Sequence, residues 1–236
     1  MKPLILRKKR EIIIRKRLYS LDVHGKLGIN QLNHKVFLHE RGGEMKLFRK
    51  WKNEKPEYGE KDKGNKELTP ALLEEILLHA GKEIAFLCIG SDRAIADSLG
   101  PLVGTMLKEN KLPYPVYGTL ETPVHALNLE KTVEDICRVF PSHLLIVLDA
   151  CIGYKEEVGM VFLKTGPLYP GKAIGNPLPA VGDFHLIAVV NYQDKNTYEK
   201  YLMDTRLFTI YDMAKKTSEL ILTAARTANE KQMNTN

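Results

Sequence analysis

Short apolar runs alternating with helix-length amphipathic stretches constrain this fold more than any other feature of the chain. The runs at 84–89, 143–148 and 184–190 are nearly continuous in aliphatic residues. That pattern belongs to strands covered on both faces, as in a parallel sheet sandwiched by helices. Between them lie helical patterns at about 98–109 and 128–140, and a longer one covers about 206–228 with Leu207, Ile210, Met213, Ala214, Leu220, Ile221 and Ala224 on its inward stripe. Shorter strands are expected at 115–118 and 158–163. The folded domain opens at a well-marked helix: Thr69 as N-cap, Pro70 at the first helical position, Leu72, Leu73, Ile76 and Leu77 on one face, and Gly81 as the stop. The expected fold is α/β, a three-layer αβα sandwich with a mainly parallel sheet and right-handed crossovers.

Charge divides the chain. Residues 1–44 carry 11 Lys/Arg against 4 Asp/Glu, whereas 45–236 carry 24 against 25. A basic arm can bind phosphate backbones, but this one lacks interleaved aromatics and any reading motif, so no nucleic-acid partner is expected. Arg41-Gly-Gly-Glu44 can be encoded by a purine run of the kind that positions a bacterial ribosome, and it directly precedes Met45. Residues 1–44 are therefore read as a basic leader upstream of the true start, an expectation that N-terminal sequencing of the native product checks. Residues 45–68 are charged and poor in aliphatics, the composition of a disordered tail, which leaves 69–236 as the domain. No apolar run approaches the roughly 18 residues of a membrane span, and the expected location is the cytoplasm. Three cysteines, Cys88, Cys137 and Cys151, form no C-x-x-C pair, so reduced thiols are the default.

The chemistry rests on two aspartates, each at the end of an apolar run. Asp97 follows the first strand and its loop, and Asp149 follows the strand at 143–148. In an open α/β sheet the ligand crevice lies outside the carboxyl ends of neighbouring parallel strands, so these two acids can share it. Each has a plainer role available: Asp97 as the N-cap of the next helix, Asp149 as a carboxylate satisfied by the following turn. Only as a pair do they make chemistry, because two carboxylates in one crevice cannot both ionise cheaply and one retains a proton near neutrality. Identical side chains then serve as acid and base.

Other residues are weighed around that pair. Asp92 and Arg93 either pair with each other on the surface or reach substrate carbonyls. His125 occupies a loop at the same sheet edge and is a candidate for substrate binding or, with Asp97 and Asp149, for a metal site of two carboxylates and an imidazole. His185 is a second candidate ligand, although its place within a strand favours simple packing, and Asp183 beside it reads as a turn residue. Cys151 lies near the crevice, where a Cys–His nucleophile competes with plain burial. Gly90 and Gly100 frame a loop that matches neither the dinucleotide fingerprint nor a phosphate loop. No nucleotide cofactor is expected, and a divalent metal is the alternative.

Three blocks carry a family resemblance: Cys88-Ile-Gly-Ser-Asp-Arg-Ala-Ile-Ala-Asp97-Ser-Leu-Gly-Pro-Leu-Val, then Val116-Tyr-Gly-Thr-Leu-Glu-Thr-Pro-Val-His-Ala-Leu-Asn-Leu129, then Leu148-Asp-Ala-Cys-Ile-Gly153, with Thr205-Arg-Leu207 in addition. Over these the chain resembles the YyaC-type sporulation proteins of spore-forming firmicutes, from about residue 70 to the last helix. The departure is Ala96, where a Gly is expected before the acid. That family in turn resembles the germination protease of spores and, more distantly, the hydrogenase maturation endopeptidases. The resemblance implies a phosphorylase/hydrolase-like, hydrogenase maturation protease-like αβα fold. It implies aspartic-type peptidase chemistry at Asp97 and Asp149, a protein or peptide substrate, and a cytoplasmic role in a sporulating bacterium. It leaves as alternatives a catalytically inactive peptidase fold that binds a partner, and a metal-dependent endopeptidase in which the two acids are ligands.

Overall fold

In the computed structural model the described residues are 66–80, 84–140, 143–171, 178–192 and 205–234, together with the backbone of 11–21, 27–41 and 44–50. Gly81 and residues 175–177 of the loop read at 175–182 lie outside them. Strands β1 (Glu11–Leu21), β2 (Leu27–Arg41) and β3 (Glu44–Lys50) pair into an antiparallel sheet of their own. The sequence reading assigns no strand here, and β3 spans the boundary drawn at Met45.

The remaining elements are β4 (Lys66–Glu67), α1 (Pro70–Ala80), β5 (Ile84–Cys88), α2 (Leu99–Glu109), β6 (Val116–Tyr117), α3 (Leu129–Val139), β7 (Leu144–Gly153), β8 (Val161–Thr165), β9 (Phe184–Tyr192) and α4 (Leu207–Met233). Thr69 caps α1 as expected, its Oγ1 accepting the Leu72 N–H at 3.3 Å. Six strands form one sheet in the order β4-β8-β9-β7-β5-β6. The four from β9 to β6 are mutually parallel, whereas β8 runs antiparallel to β9 and β4 antiparallel to β8. The sheet is thus mostly parallel and is sandwiched by helices.

Alternation along the strands divides the core. Ile84, Phe86 and Cys88 of β5 and Ile146 and Leu148 of β7 face the layer holding Leu73, Ile76 and Leu77 of α1, Val103 and Leu107 of α2 and Ile210, Ile221 and Ala224 of α4. Ala85, Leu87, Leu145 and Val147 face Leu129, Ile136 and Cys137 of α3 and the segment around Leu168 and Val181. Two positions correct the sequence reading. Leu207, placed on the inward stripe of the last helix, is 58% exposed, and of Val139 and Phe140, alternative last residues of the apolar stripe at 128–140, Val139 is 64% exposed and Phe140 half-buried. Both exposed side chains sit at helix ends, where the stripe overruns the surface that could cover it.

Two departures shape the site. Strand β7 does not stop at residue 148: it continues to Gly153 by pairing with β9, while its pairing with β5 ends at Cys88 opposite Leu148. Asp149 is therefore the first residue of β7 without a β5 neighbour. The strand order also reverses at β5, with β6 on one side and β7 on the other, which makes the gap beyond β5 and β7 the switch point where such sheets bind ligands.

Candidate active site at the carboxyl edge

The loop leaving β5 turns on glycines whose hydrogens face backbone. A Cβ on Gly100 would lie 2.0 Å from the Ile89 carbonyl oxygen, and one on Gly104 would lie 2.0 Å from that of Gly118. Helix α2 thus sits directly on the end of β5. Gly90 and Gly100, which match no nucleotide motif, are explained by this close approach. Asp97 falls in a 3-10 turn, Ala96–Ser98, ahead of α2. The N-cap position belongs to Ser98, whose hydroxyl donates to the Ile95 carbonyl at 2.7 Å and makes no capping bond. The capping role expected of Asp97 is corrected: its carboxyl is not spent on the helix end. Ala96, where the family pattern expects Gly, is buried in the core.

Asp97 is half-buried, and burial raises its carboxyl above the usual range, partly offset by the Ser91 backbone N–H and the nearby His125. Asp149 is pushed up to about 8, first by burial, then by the negative charge of Asp97, with the Ala150 backbone N–H acting in the opposite direction. The two acids therefore sense each other, and Asp149 is the one that holds a proton at neutral pH.

His125 reaches this neighbourhood because its loop is tied to the sheet. The Gly90 N–H donates to the Val124 carbonyl at 2.8 Å and Ile89 bridges Val124 in parallel fashion, while Thr105 Oγ1 accepts the Leu120 N–H at 2.9 Å from below. The His125 backbone N–H donates to Asn128 Oδ1 at 2.8 Å, and its ring Nδ1 accepts the Leu127 N–H at 3.3 Å.

The remaining candidates lie elsewhere. Asp92 and Arg93 are exposed in the turn after β5, and among the described residues no ion pair joins them. His185 is buried in β9, paired with Val147, its Nδ1 against the Gly166 carbonyl at 2.9 Å; burial lowers it to about 4. Asp183 is more than a turn residue: it is buried, and its Oδ2 accepts the Leu145 N–H at 2.9 Å while its own N–H donates to the Leu145 carbonyl, setting the start of the β7–β9 register. Burial and the charge of Asp149 push the Cys151 thiol up to about 12, which keeps it protonated and a poor nucleophile. Asn128 stands at the N-cap of α3, where its place ahead of the helix predicts it, but its side chain makes no capping bond and is turned to His125 instead; the signal for that second role is its place three residues after a loop histidine.

The more distant resemblance to the hydrogenase maturation endopeptidases leaves a divalent metal held by Asp97, Asp149 and His125 as an alternative. Among the described residues no three His, Cys, Asp or Glu side chains are arranged to hold an ion, and the Nδ1 of His125 is already occupied by a backbone N–H. The residues present do not fit a metal centre.

The architecture is thus an αβα sandwich with Asp97 and Asp149 at the carboxyl edge where β5 and β7 part. Residues 57–220 match the family described as Protein of unknown function (DUF1256). The chain is 39% identical over 163 residues to the uncharacterized protein YyaC of Bacillus subtilis (strain 168), covering 69% of this chain and 79% of that protein. It belongs to this YyaC-type family. Among solved structures, the [NiFe] hydrogenase maturation protease HycI from Thermococcus kodakarensis KOD1 aligns with a TM-score of 0.45 and 20% identity, over 66% of this chain and 99% of that one. Among the described residues no helix is long and apolar enough to cross a membrane.

Proposed function

We propose that this protein is a peptidase of the germination-protease type, acting in the cytoplasm of a sporulating bacterium on a protein or peptide substrate. What supports the reading is the placement of Asp149 on β7 just past the end of β5, with Asp97 in the turn that follows β5 and its charge raising Asp149 after burial does. Asp149, held protonated, is the acid; Asp97, raised by burial with the Ser91 backbone N–H acting in the opposite direction, is the base. Asp97 takes a proton from water as the water oxygen attacks the peptide carbonyl carbon. Asp149 then gives its proton to the amide nitrogen as the C–N bond breaks. The cycle ends with Asp97 protonated and Asp149 ionised, and exchange with solvent restores the starting pair. Arg93, exposed beside the crevice, is the candidate to bind substrate carbonyls or carboxylates, with Asp92 and His125 lining the same edge. No step runs through a metal.

The test is to incubate the purified protein with an extract of sporulating cells and map new protein N-termini by mass spectrometry. Asp97→Asn and Asp149→Asn are each expected to slow cleavage at least about 100-fold, the usual contribution of a positioned acid or base. New termini that appear equally with both variants would end the enzyme reading. A wild-type protein that retains a peptide without cutting it would replace that reading with a binding role.

A further inference from the structure

The turn carrying His125 is closed by a reciprocal pair of bonds. His125 Nδ1 accepts the N–H two residues on, from Leu127, and Asn128 Oδ1 reaches back to the His125 N–H. The pattern is related to a capping box but is offset from it: the histidine ring takes the N–H two residues on rather than three, and the N-cap of α3 is Asn128. The His125 carbonyl accepts from both Asn128 N–H at 3.0 Å and Leu129 N–H at 2.9 Å, so the first turn of α3 effectively begins at His125. Asn128 Nδ2 donates to the Pro123 carbonyl at 2.9 Å, which fixes the amide's orientation and leaves its oxygen facing His125.

A ring nitrogen that accepts a backbone N–H carries no proton, so the neutral imidazole bears its hydrogen on Nε2. Protonating Nδ1 would set two donors against each other and open the turn. The histidine can therefore enter chemistry only through its other nitrogen, as a donor.

We propose that Asn128 is a positioning residue that locks His125 in the Nε2–H form beside Asp97, so that the imidazole serves the site as a hydrogen-bond donor rather than as a base or a ligand through Nδ1. The activity part of this inference rests on the peptidase reading; the tautomer part does not. A donor near the carboxylate that activates the water suits the stabilisation of charge that develops on a carbonyl oxygen.

Long-range proton–nitrogen correlation spectra of the ¹⁵N-labelled protein, at a pH where the ring is neutral, decide the matter. The wild type is expected to show a single Nε2–H tautomer at His125. Asn128→Ala is expected to mix the tautomers and lower kcat about ten- to a hundredfold with KM changed less than about twofold. Asn128→Asp, which keeps the acceptor for the His125 N–H, is expected to restore the single tautomer. A wild-type Nδ1–H tautomer overturns the assignment whether or not any cleavage is found. So does an Asn128→Ala protein with one unchanged tautomer and a merely lower thermal midpoint, since that is the mark of a purely structural cap. If the alanine variant does not fold, Asn128→Ser, whose hydroxyl falls short of the His125 N–H, is read by the same criteria.

Discussion

Asp149→Asn is expected to raise the thermal midpoint by about 5–10 °C at pH 8.5 and to leave it nearly unchanged near pH 4. The folded chain holds a proton on Asp149 up to about pH 8, whereas the unfolded chain releases it near the ordinary carboxylate value of about 3.9. Between those limits the native state binds more protons than the unfolded state, so stability falls as pH rises through the window. The contribution is complete at the acid end and lost above about pH 8. Taken at face value the shift is worth on the order of 4–6 kcal/mol; partial exposure of the residue reduces this to about 2–4 kcal/mol. Asparagine removes the penalty: it stays neutral, its oxygen can still accept the Ala150 N–H, and its amide can donate toward Asp97.

Asp97 titrates with its partner, so the wild-type curve belongs to the pair. The measurement is a series of melting curves from pH 4 to 9 on both proteins. A gap between the curves that does not grow with pH would mean that Asp149 is well solvated and that no proton is stored there. That result would remove the physical basis of an acid and base pair as well.

Much of the frame was legible because its signals are local. Thr69 and Pro70 mark the start of α1 by their own chemistry, and the aliphatic runs at 84–89 and 143–148 can be little other than buried strands in a chain that alternates with helices. What escaped depends on partners distant in sequence. Nothing in Ala150-Cys151-Ile152-Gly153 announces a strand; β9 makes it one by pairing past the point where β5 ends. The segment 158–163 reads as one more strand, but its position at 161–165 and its antiparallel direction follow from a pairing with β9 that composition does not reveal. Asp97 and Asn128 each precede a helix and so read as caps; Asn128 does hold the N-cap position of α3, without a side-chain capping bond, whereas Asp97 does not hold that of α2. In the fold, Ser98 stands at the first N-cap and the Asn128 amide turns back to His125. Local propensity identified residues that belong at helix starts, and tertiary contacts decided which of them were left available for other work.

Gly118→Ala should cost more than about 4 kcal/mol and abolish most soluble, cooperatively melting protein, a loss comparable with the whole stability of many domains. Gly118 has φ +83, a conformation that side chains rarely adopt, and a Cβ there would lie 1.8 Å from the Cys88 carbonyl oxygen. The oxygen cannot withdraw, because it belongs to the last residue of the central strand β5 and the Gly118 carbonyl is itself wedged against Gly104 of α2. Relief requires moving α2 or the loop that leads to His125, and both carry the candidate site. Gly159→Ala separates the two causes. Its φ is +93, but nothing lies within 4 Å of the added carbon, so only the conformational penalty of about 1–2 kcal/mol applies. Circular dichroism melts of the two variants side by side measure the difference. If Gly118→Ala melts within about 3 °C of Gly159→Ala, strain alone accounts for both. The close seating of α2 and the His125 loop on β5 would then be wrong, and with it the reason that Asp97 and His125 arrive at the same edge.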